Sequence, residues 1–228
     1  AEQAETFLQD HSLSAYFDQV AIKALALAQL DVNRGALNES GRVRIAATVE
    51  GFIDNLAAHE DAHESEPAVT PDLIPQNWLD RPILCVGGRG LLDHAAASLL
   101  AHLLDRQGLG TRLATTEELT PTSVQDFACD GVQAICISYL EPGSPKNARY
   151  MARRLRKRMP GVPLIAGFWS VIQDDTHFLD GFEATECDFL ATTLQQAVTQ
   201  IVALMRRSGT DDAFSSSVRQ DEEEPVAD

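Results

Sequence analysis

The spacing of apolar residues changes near residue 80, which divides the chain into two parts of different predicted structure. Up to residue 63, apolar residues recur every three or four positions, as in helices that bury one face. The stripes expected to be buried include Val20, Leu27 and Leu30, and a second stripe begins at Val43. The helices are predicted over Glu2–Gln9, Leu13–Arg34 and Glu39–Ala58. Residues 1–63 are therefore predicted to form a helical bundle.

The second part, residues 81–207, alternates short apolar runs with amphipathic segments. Strands are predicted over Pro82–Val86, Thr111–Ala114, Val132–Ser138, Pro163–Ala166 and Asp188–Ala191. Helices are predicted over Leu91–Gln107, Pro121–Ala128, Lys146–Met159, within Asp174–Thr185, and over Leu194–Arg207. Strands that alternate with helices form a parallel sheet covered on both faces. We therefore predict an α/β fold, in which the helical bundle precedes a five-stranded, flavodoxin-like doubly wound sheet.

The segments on either side of the α/β part differ from it in composition. Residues 64–80 are rich in acidic residues and proline, which is typical of a linker. Trp78 is expected to dock the end of this linker onto the following domain. Residues 208–228 are polar and acidic, so we predict a disordered tail there.

The charge and the cysteines narrow the function classes. The chain has 18 basic and 34 acidic residues, a formal net charge of −16, which would repel a nucleic acid. No apolar run approaches the roughly 18 residues that a membrane-spanning helix needs. The N-terminus lacks the apolar stretch of a signal peptide. The chain also begins without Met, so we expect an excised or processed piece. Reduced thiols of a cytosolic protein are expected at Cys85, Cys129, Cys136 and Cys187.

One string resembles a zinc site. His59-Glu60-Asp61-Ala62-His63 spells H-E-x-x-H, in which two histidines on one helix face hold zinc and the glutamate acts as a base. With this composition, chance gives roughly 0.01 matches. Pro67 follows shortly and disfavours helix, and no third ligand is evident. We therefore expect no metal site, and we interpret the stretch as the hinge between bundle and sheet.

A ligand of a doubly wound sheet binds beyond the carboxyl ends of the strands, where the strand order reverses. The loops after the first, third and fourth strands should meet at this switch point. Gly88-Arg89-Gly90 can cradle a phosphate or form a tight turn, since it lacks the third glycine of G-x-G-x-x-G. The candidate ligand-binding residues are Gly88, Arg89, Gly90, Asp93, His94, Ser138, Tyr139, Glu141, Gly167, Phe168 and Trp169. No catalytic constellation stands out, so we expect no enzyme.

The layout resembles the cobalamin-binding modules of methionine synthases and light-sensing repressors. The residues that carry the resemblance are Tyr16-Phe17-Asp18-Gln19-Val20 through Gly35, the run to Gly108, Asp130-Gly131-Val132 through Ser138, and Gly167. The resemblance covers residues 13–205 and implies the same fold. Placed by its distance from Gly108, the family's D-x-H-x-x-G motif falls on Leu91, Asp93 and Ala96, so all three of its positions are changed.

Other departures from this family concern the ligand pocket. His94 lies one residue from the position of the cobalt ligand, which is about 100° around a helix. Ser138 matches the family's serine, but Gly167-Phe168 stands in place of paired glycines, and Phe168 is expected to crowd the pocket for the nucleotide tail. The bundle also lacks the Trp and the Glu-His pair that cap the cobalt in sensors. We therefore expect that cobalamin binding is lost, and we expect no other cofactor.

A closer resemblance is to soluble C-terminal regions of bacterial permeases of the autoinducer-2 exporter type. It rests on AEQAETFL, LSAYFDQVAIKALALAQLDVNRG and ISYLEPGSPKNARYMARRLRKRMPG. The resemblance implies a non-enzymatic, cytoplasmic regulatory or interaction domain at the inner membrane, whose partner is the membrane-embedded permease part of the same or another chain. An exposed bundle face could also pair two copies. The alternative is a small-molecule sensor that binds a nucleotide or a cobalamin-like ligand at the switch point.

The helix predicted after the third strand is strongly basic. It carries Lys146, Arg149, Arg153, Arg154, Arg156, Lys157 and Arg158. Arg149, Arg153 and Arg156 share one face at helical spacing. We expect either a solvated face or an electrostatic contact with the acidic linker or tail, an anionic membrane surface or a partner subunit. The candidate interaction residues are Arg149, Arg153, Arg156 and Lys157.

Overall fold

The computed structural model describes Phe7 and residues 11–56, 74–80, 82–141, 145–169 and 186–220. Its N-terminal part contains the helices α1 (Leu13–Tyr16), α2 (Ile22–Asn33) and α3 (Glu39–Leu56), and a π-helical turn, Phe17–Ala21, joins α1 to α2. Ser12 caps α1 and Asn38 caps α3, because their side-chain oxygens accept hydrogen bonds from Ala15 N (3.2 Å) and Gly41 N (2.9 Å). Both long helices predicted from the apolar period are confirmed.

The second part is a five-stranded parallel sheet with the strand order β2-β1-β3-β4-β5. The strands are β1 (Ile83–Gly87), β2 (Thr111–Ala114), β3 (Ala134–Tyr139), β4 (Leu164–Phe168) and β5 (Phe189–Ala191). The helices are α4 (Leu91–Arg106), α5 (Pro145–Arg158) and α6 (Leu194–Gln220). This order and the helices between the strands confirm the predicted flavodoxin-like doubly wound fold.

Alternate strand residues face two separate hydrophobic cores. Helices α4 and α6 cover one face together with the N-terminal helices, and Ile83 and Cys85 of β1 point into that core. Helix α5 and a 3-10 turn, Ser123–Gln125, cover the other face, where Leu84 lies. Trp78 is only 1% exposed and belongs to the first core, which confirms that it docks the linker onto the sheet domain.

The prediction of which residues of the first long helix are buried is wrong. The buried residues of this segment are Leu13, Phe17, Ile22 and Leu25. Val20, Leu27 and Leu30, together with Val43 of α3, are between 37% and 64% exposed. The π-helical turn holds one more residue than an α-helical turn, so it rotates the faces that follow it. The helices also pack on α4 of the sheet domain rather than only against each other.

Two further elements differ from their predictions. Pro121–Ala128 is not a helix beyond its 3-10 turn. The Phe127 and Ala128 carbonyls accept instead from the side chains of Arg158 (3.3 Å) and Arg112 (2.6 Å), so tertiary contacts hold the end of this segment. Helix α6 continues to Gln220 rather than ending at Arg207, so the tail predicted to be disordered from residue 208 is helical to residue 220. A helix extends at little cost once it is nucleated, and the first proline after its start is Pro225.

Several predictions lie wholly or mostly outside the described residues. They are the helix over Glu2–Gln9 apart from Phe7, the H-E-x-x-H stretch, the helix within Asp174–Thr185, and residues 221–228. Across the ranges that the structure describes, none of the helices is long and apolar enough to cross a membrane.

Candidate functional site

The loops after β1, β3 and β4 meet at the carboxyl edge of the sheet, as predicted for the switch point. Ser138 of β3 pairs in register with Gly87 of β1 and Gly167 of β4. The Gly88 N–H donates to the Ser138 carbonyl (2.9 Å), and the Trp169 N–H donates to the Tyr139 carbonyl (3.0 Å). The candidate residues from all three loops are therefore neighbours.

On one face of the sheet, Tyr139 fills the space beside the glycine loop. Its ring is fully buried and stacks on Phe168, with 5.2 Å between ring centroids and an interplanar angle of 18°. A Cβ atom on Gly88 would lie 2.1 Å from the Tyr139 ring. Gly88 is thus required by the packing of Tyr139, and Gly90 is the N-cap of α4. This geometry fits the tight-turn interpretation of Gly88-Arg89-Gly90.

On the opposite face, the row Gly87, Ser138 and Gly167 leaves a gap that the chain itself fills. The indole ring of Trp169 lies against Gly167, where an added Cβ would be 2.1 Å from the ring. The backbone of His94 in α4 covers Gly87, at 2.7 Å from an added Cβ. The residues that the cobalamin resemblance would place around a nucleotide tail are therefore covered by Trp169 and α4.

Phe168 does not crowd this gap, so that expectation is wrong. Successive strand residues point to opposite faces, and Phe168 follows Gly167 directly. Its side chain therefore lies in the core that contains Tyr139. Trp169, the first residue after β4, packs into the other core and covers Gly167 instead.

Asp93 ties α4 to the loop after β3. Its carboxylate is buried, with the residue 4% exposed, and Oδ1 accepts a hydrogen bond from Leu140 N (2.9 Å). Burial raises the pKa of Asp93 to about 6, although the N–H groups of Leu140 and Arg89 and the nearby Arg89 guanidinium oppose this shift. Asp93 is thus a buried carboxyl that is already hydrogen-bonded.

The rim of the site is a polar chain that includes the N-terminal helices. Arg89 forms a salt bridge with Glu141. Glu141 Oε1 also accepts a hydrogen bond from Asn33 Nδ2 at the end of α2 (3.3 Å), and Gln29 Nε2 donates to Asn33 Oδ1 (3.0 Å). Asn33 was not among the predicted site residues. No local pattern identifies it, because its partner is far away in sequence.

Asp18 makes a second link between the two parts of the protein. It lies in the π-helical turn, and its carboxylate accepts hydrogen bonds from Leu194 N (2.7 Å) and Gln195 N (3.2 Å) at the start of α6. Burial raises the pKa of Asp18, while these two N–H groups lower it. Thr193 Oγ1 accepts from Gln196 N (3.1 Å), so the first turn of α6 is capped jointly by Thr193 and by Asp18 of the N-terminal segment.

Four buried polar atoms at the switch point have no hydrogen-bond partner among the described residues. They are Ser138 Oγ, Tyr139 OH, Trp169 Nε1 and His94 Nδ1. Buried polar atoms are normally paired with protein, water, an ion or a ligand. Burial also raises the pKa of Tyr139, so its hydroxyl stays protonated and can donate. The site thus has unused hydrogen-bonding capacity next to the rings that fill it.

The candidate interaction residues of α5 have different surroundings. Arg149 (Nε, 3.8 Å) and Arg153 (Nη2, 2.6 Å) share one carboxylate oxygen of Glu186. Arg156 instead pairs with Asp188 and donates to the Val162 carbonyl (2.7 Å). Lys157 lies beside Arg153 along a surface groove. Arg156 therefore anchors neighbouring loops, while the other three face solvent.

In the part of the chain that the structure covers, no three His, Cys, Asp or Glu side chains are grouped to hold a metal ion. None of the four cysteines forms a disulfide, and Cys85 and Cys136 are fully buried in the sheet. Neither a protein-family model nor a curated protein nor a solved structure matches this chain.

Proposed function

We propose that this chain is a non-enzymatic regulatory or interaction domain of a membrane permease, with a cobalamin-binding-like fold that has lost cobalamin binding. We infer the loss of cobalamin binding because the protein's own side chains close the switch point. Tyr139 packs on Gly88 and Trp169 packs on Gly167, so both sides of the central strands are filled. A ligand could enter only if these rings moved.

The chemistry at the edge of the site supports the same proposal. The position of the cobalt ligand in the resembling family is held by Asp93, whose carboxylate is already bonded to Leu140 N. Arg89 and Glu141 neutralise each other, and Asn33 bonds to the pair. These contacts join the N-terminal helices to the sheet domain, which suits a domain that transmits or receives a mechanical signal more than one that performs chemistry.

The permease partner rests on the resemblance of residues 1–8, 13–35 and 137–161, so it needs its own test. An antibody raised against this chain would be used on fractionated cells of the source organism. We expect the signal in the inner-membrane fraction, resistant to an alkaline carbonate wash, in a band larger than 24.8 kDa. A signal confined to the soluble fraction at 24.8 kDa would contradict the attachment to a permease.

The alternative function is a small-molecule sensor at the switch point, and the four unpartnered polar atoms favour it. A ligand that displaced Trp169 would gain partners at Ser138 Oγ and His94 Nδ1 on that face. Thermal-shift screening against nucleotides and other metabolites tests this function, because a ligand that binds only the folded state raises the melting temperature. The matched control is Trp169→Phe, which keeps a ring but removes the indole N–H.

A further inference from the structure

Helix α5 concentrates positive charge in an acidic protein. Its seven basic residues have no acidic residue among them, and they leave 11 basic against 34 acidic residues in the rest of the chain. Charge of one sign on one helix is unfavourable for the isolated helix. A role in binding an anionic group would account for it.

A groove runs along this helix. It has a volume of about 810 Å³ and lies between α5 and the connection from β2 to β3. Pro121, Val124 and Tyr150 supply an apolar floor, and Tyr150 is 60% exposed. The cationic residues along it are Arg153, Arg154, Lys157 and Arg158. An apolar floor with a basic rim suits a segment that carries both apolar and acidic side chains.

Two of these cations fix the shape of the groove without being neutralised. Arg154 donates to the Leu119 carbonyl and its guanidinium lies 4.6 Å from the centre of the Tyr150 ring. Arg158 donates to the Phe127 carbonyl (3.3 Å). Because both acceptors are uncharged, the two guanidinium groups keep their full positive charge. The groove is thus held in place before any partner binds, which lowers the entropic cost of binding.

Glu186 shows that a carboxylate fits the rim. One of its oxygens accepts from Arg153 Nε (2.7 Å) and lies 2.6 Å from Arg153 Nη2, and this hydrogen bond lowers the pKa of Glu186. Its backbone has φ of 65°, a left-handed conformation that is uncommon for a residue other than glycine. Lys157 has no acidic partner among the described residues. Among the described lining residues, one carboxylate therefore faces four cations, so this part of the groove carries a net positive charge.

We propose that this groove binds an acidic peptide segment of a partner chain. The inference does not depend on attachment to a permease. A membrane surface fits less well, because the groove is concave and the rest of the chain is strongly acidic. The cations are spaced along the helix, so they match carboxylates distributed along an extended segment rather than one compact anion.

Two of the chain's acidic segments are joined to elements that pack on the other face of the sheet. The acidic linker starts at α3 and ends at Ile74, and both pack in the core on the opposite face of the sheet. The acidic residues 221–224 follow α6, which also packs on that face.

The test is fluorescence anisotropy of a short labelled peptide of glutamate and leucine, with the full chain as the binder. The matched variants are Lys157→Glu in the groove and Lys146→Glu, an exposed lysine of the same helix outside it. We expect binding in about 20 mM salt that weakens about tenfold in about 200 mM salt, because exposed charges are screened. Lys157→Glu should weaken it about fivefold or more, and Lys146→Glu less than twofold.

Several outcomes of these experiments would overturn the proposal. A peptide with glutamine in place of glutamate that binds equally well would show that charge plays no part. Equal effects of the two lysine variants would place the contact outside the groove. Neutralising Asp221, Glu222, Glu223 and Glu224 in the full chain should leave the affinity unchanged, and a clear gain would assign the groove to the chain's own tail. Capture by anionic vesicles through Lys157, without peptide binding, would identify a membrane contact instead. Circular dichroism of each variant shows that it is folded.

Discussion

Replacing Asp93 by Asn should make the protein more stable at neutral pH. The folded protein holds this carboxyl at a pKa of about 6, against a usual value of 3.8, mainly because it is buried. The difference corresponds to about 3 kcal/mol of unfolding free energy at neutral pH. Asn resembles the protonated carboxyl and keeps an oxygen to accept from Leu140 N. We therefore expect the variant to gain about 1–3 kcal/mol at neutral pH.

The sign of the pH dependence follows from the raised pKa. Below pH 3.8 the carboxyl is protonated in both the folded and the unfolded state, so its ionisation does not lower the unfolding free energy. As the pH rises towards about 6, the carboxyl loses its proton first in the unfolded state, which lowers the free energy of the unfolded state relative to the folded state. The wild-type protein should thus lose this stability between about pH 4 and pH 7, and Asp93→Asn should not.

Urea unfolding of the two proteins from about pH 4 to pH 8 measures this, because the difference between them isolates one carboxyl. Asp31→Asn, at an exposed aspartate of α2, is the control and should show no comparable difference. If the difference in unfolding free energy between wild type and Asp93→Asn is constant across this range, the pKa of Asp93 is not raised in the folded protein. A variant that is less stable than wild type at neutral pH would also contradict the raised pKa.

Four further substitutions, one of them a control, test the contacts around the site and at the start of α6. Asp18→Ala should lower the unfolding free energy in urea by about 1–2 kcal/mol, because the Leu194 and Gln195 N–H groups lose their acceptor while Thr193 still caps Gln196. A loss below about 0.3 kcal/mol would show that Asp18 does not stabilise the start of α6. Gly88→Ala should lower the unfolding free energy by about 1–3 kcal/mol, because the added Cβ clashes with the Tyr139 ring. Gly90→Ala is the control and should lower it by less than about 0.5 kcal/mol, because no atom lies near its Cβ. Equal losses of stability would contradict the packing of Tyr139 on Gly88. Tyr139→Phe should leave the melting temperature unchanged or higher, since the hydroxyl has no described partner, and a marked drop would reveal one.

The strands and long helices could be predicted because their signals are local. Apolar runs such as Ile83–Gly87 are buried on both faces, and an amphipathic segment with helical spacing follows this run. The convergence of the loops after β1, β3 and β4 followed from the rule that ligands bind at the switch point of such sheets. The candidate residues were therefore placed near each other without any knowledge of their contacts.

The missed features depend on contacts between distant residues or on small changes of period. The π-helical turn rotated the buried face of α2, and the sequence carries no recognisable mark of it. Asp18 and Leu194 meet only in the folded protein. Whether Phe168 or Trp169 covers Gly167 depends on where β4 ends, and strand ends are set by tertiary packing. Local patterns therefore predicted the fold better than the filling of the site.

In the proposed function, the protein's own side chains close the switch point against cobalamin. The most direct measurement is the visible spectrum of the chain after incubation with hydroxocobalamin and gel filtration. We expect the protein to elute without colour and without a shift in the cobalamin spectrum, because Trp169 and Tyr139 fill the site and Asp93 is bonded to Leu140. A coloured complex with one cobalamin per chain would contradict the proposed loss of cobalamin binding.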